Sequence, residues 1–357
     1  MNILILTTHL NPGGISRYVV SLSCALSKNN NVWVASDKGE WQKELVNSKV
    51  GYKHIPIATK SIMDIKVFCS FFILVPFVLK NKIDIIHCNT RVTQFIGFLL
   101  YIFLRKKYVS SFHGFYRPHL ARKIFKFEGI KSIAVSGAVK EHLYNDLKIK
   151  KDKIEVIYNG IEKKDFSSKK YRKEDVGLED SCITLGILGR ISEEKGHFLV
   201  LKAFRELKDK FKNIFLLVCG KGKLENKLKK RIDEMGVKDE VLFVSLKAED
   251  FLDIVDILLV ASFKEGFGYT ILEAFAKEVC VIGFATGGIK EIIKDKENGL
   301  LFYDYKKDAL IDTINSLLND NLLKEKIKQK AKESLEVFSL DKMAHYTEAV
   351  YKEVLRG

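Results

Sequence analysis

The chain has 357 residues, 47% of them hydrophobic and 29% charged, with a formal net charge of +15. Those proportions exclude a disordered or fibrous chain and make two globular domains of ordinary size the expectation. The charge is lopsided, with 26 lysines and arginines against 12 aspartates and glutamates in residues 1–165 and 34 against 33 in the remainder; the first part is therefore expected to meet an anionic partner, either nucleic acid or an anionic membrane surface or lipid head group.

In chain order, strand-like runs begin at ILILT (3–7) and continue through NVWVA (31–35), YKHIP (52–56), DIIHC (84–88), YVSSF (108–112), SIAVS (132–136) and EVIY (155–158). Helical segments or loops separate them. Two of the intervening stretches, VFCSFFILVPFVL (67–79) and VTQFIGFLLYIFL (92–104), are strongly apolar with basic flanks. At 13 residues each they are too short for the roughly 20 that a membrane span needs. They read either as helices packed on a sheet or as a surface resting on lipid. RPHLARKIFKF (117–127) interleaves cations with apolar residues as an interfacial helix would.

The alternation breaks at EKKDFSSKKYRKEDVGLED (162–180), which is charged and lacks a sustained apolar period. It then restarts with ITLGIL (183–188), IFLLVC (214–219), EVLFV (240–244), DILLV (256–260) and CVIGF (280–284), and turns mainly helical after ENGLLF (297–302). The reading is α/β, two doubly wound parallel sheets covered on both faces. The expected organisation is a first domain at 1–165, a linker at 166–180, a second domain at 181–339 and an amphipathic C-terminal helix at 340–357. The six cysteines show no CxxC spacing and read as reduced core residues of a cytosolic protein. Met1 leads straight into a strand, so no signal peptide is expected.

Ligands of doubly wound sheets bind at the carboxyl ends of the strands. Glycines, His113, Arg190, Lys195 and Glu265 all follow strands here, and NTR after DIIHC adds Asn89 and Arg91 as acceptor-side candidates. In EGFGYTILEAFA (265–276), Glu265 and Glu273 straddle a glycine turn and a helix start, a place where free amides attract an anion. Carboxylates on either side of that anion suit sugar hydroxyls, which is the pattern of a nucleotide sugar. Arg190 and Lys195, five positions apart, can neutralise a diphosphate leaving group. Glu193 and Glu194 are expected to be solvated. No D-x-D pair occurs and no His/Cys/Asp cluster has ligand spacing, so neither metal nor cofactor is expected. LNPGGIS lacks the dinucleotide fingerprint. His113 serves as either a structural hydrogen bonder or an acid–base group, and the other seven histidines read as structural. Gly220 and Gly222 are expected to shape the crevice.

These motifs together resemble the retaining GT-B glycosyltransferases of family 4, the group 1 type. The resemblance runs through PGG (12–14), SFHG (111–114), AVSGAVKEHL (134–143), VIYNGIE (156–162), GILGRISEEKG (186–196), EGFGYTILEAFA (265–276), ATGGIKEII (285–293) and ENGLLF (297–302). It implies two Rossmann-like domains facing across a crevice, with the C-terminal helix returning to the first. By resemblance Arg190 and Lys195 hold the donor diphosphate, Glu273 the ribose and Glu265 the transferred sugar. The amides of Gly266, Phe267, Gly268, Tyr269 and Thr270 contact sugar and phosphates, His113 lies beside the sugar, and Gly13 and Gly14 approach the phosphates. The implied activity is transfer of a hexose from a nucleotide diphosphate sugar, expected to be UDP-linked, to a lipid-linked or surface-glycan acceptor, in the cytoplasm or at the inner membrane face. A nucleotide-sugar epimerase of the same fold is the alternative. A nucleic-acid-binding protein is the other class that fits the charge, but no base-reading motif accompanies it, and no nucleic-acid partner is expected.

Overall fold

The computed structural model describes residues 1–162, 166 and 169–357, with Ala121 by its backbone alone. Two compact units result, one of Met1–Gly160 with Phe338–Gly357 and the other of Ile161–Val337.

In the first unit seven strands form one parallel sheet: β1 (Asn2–Leu6), β2 (Asn31–Ser36), β3 (Val50–His54), β4 (Ile85–Cys88), β5 (Tyr108–Phe112), β6 (Lys131–Ala134) and β7 (Ile154–Val156). Their order is β3-β2-β1-β4-β5-β6-β7. The strands are near-continuous apolar runs because both faces are covered; Ile3 to Leu6, for example, are fully buried. The winding reverses between β1 and β4, so the loops after these strands diverge and leave a crevice at their carboxyl ends. The C-terminal helix, Leu340–Arg356, belongs to this unit and packs on the first helix, Gly14–Leu26. It buries Met343, Thr347, Val350, Tyr351 and Val354, one helical stripe. Lys107 Nζ caps its last turn by donating to the Val354 and Leu355 carbonyls at 3.0 and 3.2 Å.

The second unit repeats the winding with β8 (Ile183–Leu188), β9 (Ile214–Cys219), β10 (Val241–Val244), β11 (Ile257–Val260), β12 (Cys280–Phe284) and β13 (Leu300–Phe302). Their order is β10-β9-β8-β11-β12-β13, all parallel, with the reversal between β8 and β11. Strand β13 is not among the sequence expectations. Only three residues long, it lies inside ENGLLF and is defined by pairing with β12 from Ile282–Leu300 to Phe284–Phe302.

Three sequence expectations need amendment. Part of the expected linker, residues 167 and 168, lies outside the described residues. The rest packs on the second unit: Phe166 and Leu178 are buried, Lys173 bridges to Asp256 at 2.8 Å, and Asp253 accepts from the Lys170 and Tyr171 amides. Charge that reads as linker is satisfied charge here. RPHLARKIFKF is helical only over Leu120–Ile124. Beyond it Phe127 takes a left-handed φ of 51°, which no helix continues. Helix Ile65–Lys80 packs one face on the sheet through Val67, Phe71, Leu74 and Val78 but leaves the other open. That open face carries Cys69, so five of the six cysteines are at least half-buried and this one is exposed.

Candidate active site

The donor-side candidates gather at the carboxyl ends of β8, β9 and β11. Lys195 closes a single 3-10 turn, Glu193–Lys195, after β8. Its Nζ lies 2.5 Å from Glu265 Oε2, which follows the adjacent strand β11. The pair is mostly shielded, with side chains 28% and 17% exposed, so the low local dielectric strengthens it. Arg190 remains largely exposed and reaches Glu194 Oε1 at 3.1 Å, so Glu194 is paired where solvation was expected. A surface pair of this kind is worth little and is readily exchanged for a stronger anion.

The local backbone explains the glycines in two ways. Gly268 is the N-cap of helix Tyr269–Ala276 at φ 110°, a conformation that other residues rarely adopt, and it supplies no side-chain acceptor. Helix His197–Lys210 is likewise capped by Gly196 without a side-chain hydrogen bond. Asp64, Thr90 and Asp320 close other helices by side chain, whereas the helices starting at Glu225, Ala248 and Lys307 also lack a side-chain cap. A glycine start of this kind is a local geometry that suits an anion. Gly220 is different: a Cβ there would lie 2.0 Å from the Gly189 carbonyl, so its missing side chain serves the close approach of β8 and β9. On helix Tyr269–Ala276, Glu273 is 3% exposed, a rare burial for a carboxylate, and Phe267 is buried beside it in sequence. Sequence reasoning treated His197 as one structural histidine among many. Its two ring nitrogens have no partner among the described residues, and burial with the nearby Lys195 charge holds its pKa down at about 4. Being neutral, it adds no second cation behind Lys195.

The first unit carries its own constellation. Gly13 caps helix Gly14–Leu26 with no side-chain acceptor, and a Cβ at Gly13 would meet open space. Asn89, after β4, is buried and accepts at Oδ1 from His113 Nε2, 3.2 Å away, while its amide donates to the Leu6 and His87 carbonyls. The His113 proton is thus on Nε2, Nδ1 keeps a lone pair, and burial pushes the pKa down to about 3. His113 is a neutral hydrogen-bond acceptor at pH 7. Arg91 does not join Asn89 and His113 in this contact. Its guanidinium donates to the Phe125 carbonyl and, at 2.8 Å, to that of Lys126, and it lies over the Phe127 ring.

Behind His113 runs a buried chain of neutral hydrogen bonds. Tyr18 packs edge-on against the His113 ring, with centroids 4.7 Å apart. Thr347, on the C-terminal helix, donates its hydroxyl to the Met343 carbonyl at 2.7 Å. Tyr18 shares a hydrogen bond with Ser111 at 3.0 Å, Ser111 one with His87 Nε2 at 2.7 Å, and His87 Nδ1 one with Tyr351 at 2.6 Å. The chain ties β4 and β5 to the C-terminal helix through Tyr351, and burial lowers the His87 pKa to about 3, so the ring is neutral. Sequence pattern offered no signal for it, since its members are 93 and 264 positions apart along two of the contacts. Among the described residues no group of three or more His, Cys, Asp or Glu is placed to hold a metal ion.

Two parallel-sheet units wound in this order define the GT-B class. The family described as Glycosyl transferases group 1 matches residues 168–334, and Glycosyltransferase Family 4 matches residues 12–164. The chain belongs to this family and is a glycosyltransferase of the GT-B type. An uncharacterised glycosyltransferase of Methanocaldococcus jannaschii is 29% identical over 296 residues, 76% of each chain. A Campylobacter jejuni α-1,4-N-acetyl-D-galactosaminyltransferase, named for a GalNAc-containing diphospho-undecaprenol substrate, is 25% identical over 352 residues, 95% of each chain. Anabaena HepE, solved with UDP-glucose, superposes with a TM-score of 0.86 over 99% of this chain and 100% of that one. At 17% identity it supports the fold alone.

Proposed function

We propose that the protein is a retaining, metal-independent hexosyltransferase. It moves a sugar from a UDP-linked donor to a lipid-linked or surface-glycan acceptor, at the cytoplasmic face of the membrane. The observation that carries this reading is the Lys195–Glu265 pair beside the uncapped start of helix Tyr269–Ala276. It sets a cation for the diphosphate and a carboxylate for the sugar within one hydrogen bond of each other. The undecaprenol-linked substrate of the Campylobacter relative supports the choice of acceptor class.

In this scheme the C1–phosphate bond breaks as the acceptor oxygen bonds to C1, and the nucleoside diphosphate leaves. Lys195, Arg190 and the helix amides take up the charge that develops on it. Glu265, held by an ammonium at 2.5 Å, is a weak nucleophile, which favours attack on the same face with the leaving phosphate accepting the acceptor's proton. Glu273 binds the ribose. In the first unit, taken by itself, the Nδ1 lone pair of His113 suits a sugar hydroxyl, Asn89 fixes that ring, and Gly13 and Gly14 at an uncapped helix start suit an anion.

The test is turnover of a panel of nucleotide sugars with a lipid-linked acceptor in excess chelator, with the anomeric configuration of the product read by NMR. Retention of configuration with undiminished rate is expected. Inversion, or loss of activity with chelator, overturns the respective part of the reading. Glu273→Gln should mainly weaken donor binding, and Glu265→Gln should lower the rate more than the affinity. Identical effects in the two variants contradict the assignment.

A further inference from the structure

Helix Ile65–Lys80 turns an apolar face to solvent. Ile65, Cys69, Phe72, Pro76 and Leu79 are all exposed and recur at helical spacing along one stripe. Ile65, Phe72 and Leu79 are 72%, 70% and 56% exposed, whereas a solvent-facing stripe is ordinarily polar. The stripe is not isolated. Phe71 contacts the rings of both Phe72 and the exposed Phe103, and Phe68 contacts Phe95, which meets Phe127 and through it the exposed Phe125. One run of ring contacts thus joins this helix, helix Arg91–Leu104 and the segment Leu120–Ile124 with the residues after it. In that segment Leu120 and Ile124 are 74% and 63% exposed.

The charge around the same surface has one sign. Between residues 60 and 127 twelve lysines and arginines accompany two acids, Asp64 and Asp84, and both acids already accept backbone amides. Lys66 and Lys80 flank the stripe at its two ends and are exposed. Where the segment meets helix Arg91–Leu104, a crevice is lined by Arg91, Gln94, Tyr116, Arg122 and Lys126. No carboxylate lines it. Arg122 lies over the Tyr116 ring but has no hydrogen-bonding partner for its guanidinium among the described residues. Gln94, 3% exposed, likewise has no partner for its side-chain amide. Donors left open beside fixed cations call for a phosphate oxygen.

We propose that this face of the first unit docks on an anionic phospholipid bilayer. The Ile65–Leu79 stripe and the exposed side chains of the Leu120–Phe125 stretch enter the acyl boundary, and the cations around them, Lys66, Lys80 and Arg122, meet lipid phosphates. The proposal deepens the reading of a lipid-linked acceptor, since it brings the enzyme to the surface where such a substrate lies. A lipid surface fits better than nucleic acid because the exposed set includes aliphatic Ile65, Leu79, Leu120 and Ile124, which stack on no base but bury readily among acyl chains. No helix among the described residues is long and apolar enough to cross a membrane, so the contact is one of docking.

The experiment is co-sedimentation of the full chain with vesicles of phosphatidylcholine alone or with added phosphatidylglycerol, over a salt series and without donor or acceptor. Binding is expected only with phosphatidylglycerol, fading with salt. Arg122→Glu with Lys123→Glu should weaken it roughly tenfold or more. Phe72→Ser with Leu79→Ser should weaken it comparably and remove whatever binding persists at high salt. Melting curves matching the wild type show that both variants are folded and depend on neither donor nor acceptor, so the docking face and the transferase reading can fail separately. Equal binding to both vesicle types, or undiminished binding in both folded variants, overturns the proposal. So does tighter binding to a single-stranded oligonucleotide that the Phe72 and Leu79 variant leaves unchanged.

Discussion

The two units wind their strands in the same order, yet they hold the segments that flank their sheets by opposite means. In the first unit the C-terminal helix is fixed by a chain of uncharged groups from Tyr351 through His87 and Ser111 to Tyr18. In the second, residues 169–171 are fixed by charge. Asp253 accepts the Lys170 amide at 2.7 Å and pairs with Lys277 at 2.6 Å, and the two side chains are 1% and 7% exposed. The same contrast holds at the candidate site, where the first unit presents neutral His113 and Asn89 and the second presents Lys195 and Glu265. A repeated fold fixes where loops converge, at the carboxyl ends of the strands. It leaves open whether the groups gathered there are neutral or charged.

The comparison breaks most sharply at the buried ion pair. Asp253→Ala removes the carboxylate opposite Lys277 and should cost the second unit about 3–5 kcal/mol. Both tryptophans, Trp33 and Trp41, lie in the first unit, so its denaturant transition followed by tryptophan fluorescence should stay put while amide exchange accelerates in residues 169–337. A fluorescence transition that moves equally would mean that the units are not held independently.

Next in size is the charge at the second unit's site. Arg190→Ala and Lys195→Ala should each lower turnover by about 2.7–4 kcal/mol of transition-state stabilisation, because each loses a donor to a developing charge. Arg190→Ala should melt as the wild type, while Lys195→Ala also unpairs Glu265 and should melt somewhat lower. Wild-type rates in both would remove the phosphate assignment.

The neutral relay is the counterpart. Tyr351→Phe leaves His87 Nδ1 unmatched and should destabilise the first unit by about 1–3 kcal/mol. Tryptophan fluorescence would report the loss, and amide exchange in the second unit would not change. If the relay also seats Tyr18 against His113, turnover falls in step; unaltered stability would show that the buried chain of hydrogen bonds carries no weight.

Per pH unit, the smallest effect is the acid response. His87 and His113 titrate at about 3 and His197 at about 4 in the folded chain, against 6.5 when free. The unfolded chain therefore binds more protons between these limits, and the stabilisation present above about pH 6.5 is lost as the pH falls toward 3 to 4. Each histidine contributes a slope of about 1.4 kcal/mol per pH unit in that window. With two such groups against one, the first unit should lose stability more steeply on acidification. A fluorescence transition no steeper than the second unit's amide-exchange response would count against this.

Much of the fold was legible because it rests on local pattern. Apolar strand runs separated by helices appear in the residues, and twelve of the thirteen strands lie where such runs occur. Strand β13 escaped because three residues carry no period, and only pairing with β12 defines it. The candidate site was legible where function sits on the residue after a strand, as with Glu265 or His113, and on glycine-capped helix starts. It was not legible where a side chain's partner comes from elsewhere. Arg91 reads as a free acceptor-side cation, but it is committed to the Phe125 and Lys126 carbonyls. Cys69 reads as core because its run is apolar on all sides, and only packing decides which face of that helix the sheet covers.

By itself, then, the sequence determined the alternation of strands and helices, the two parallel sheets, the charge imbalance and the order of the glycine-rich turns. These follow from propensity and period, which act over a few residues. The tertiary structure decided what lies far apart in the chain. It paired Lys195 with Glu265, 70 positions away, threaded the C-terminal helix onto His87, and left the Ile65–Leu79 stripe uncovered. Such contacts depend on which surfaces meet once the strands have taken their order, and no local preference specifies them.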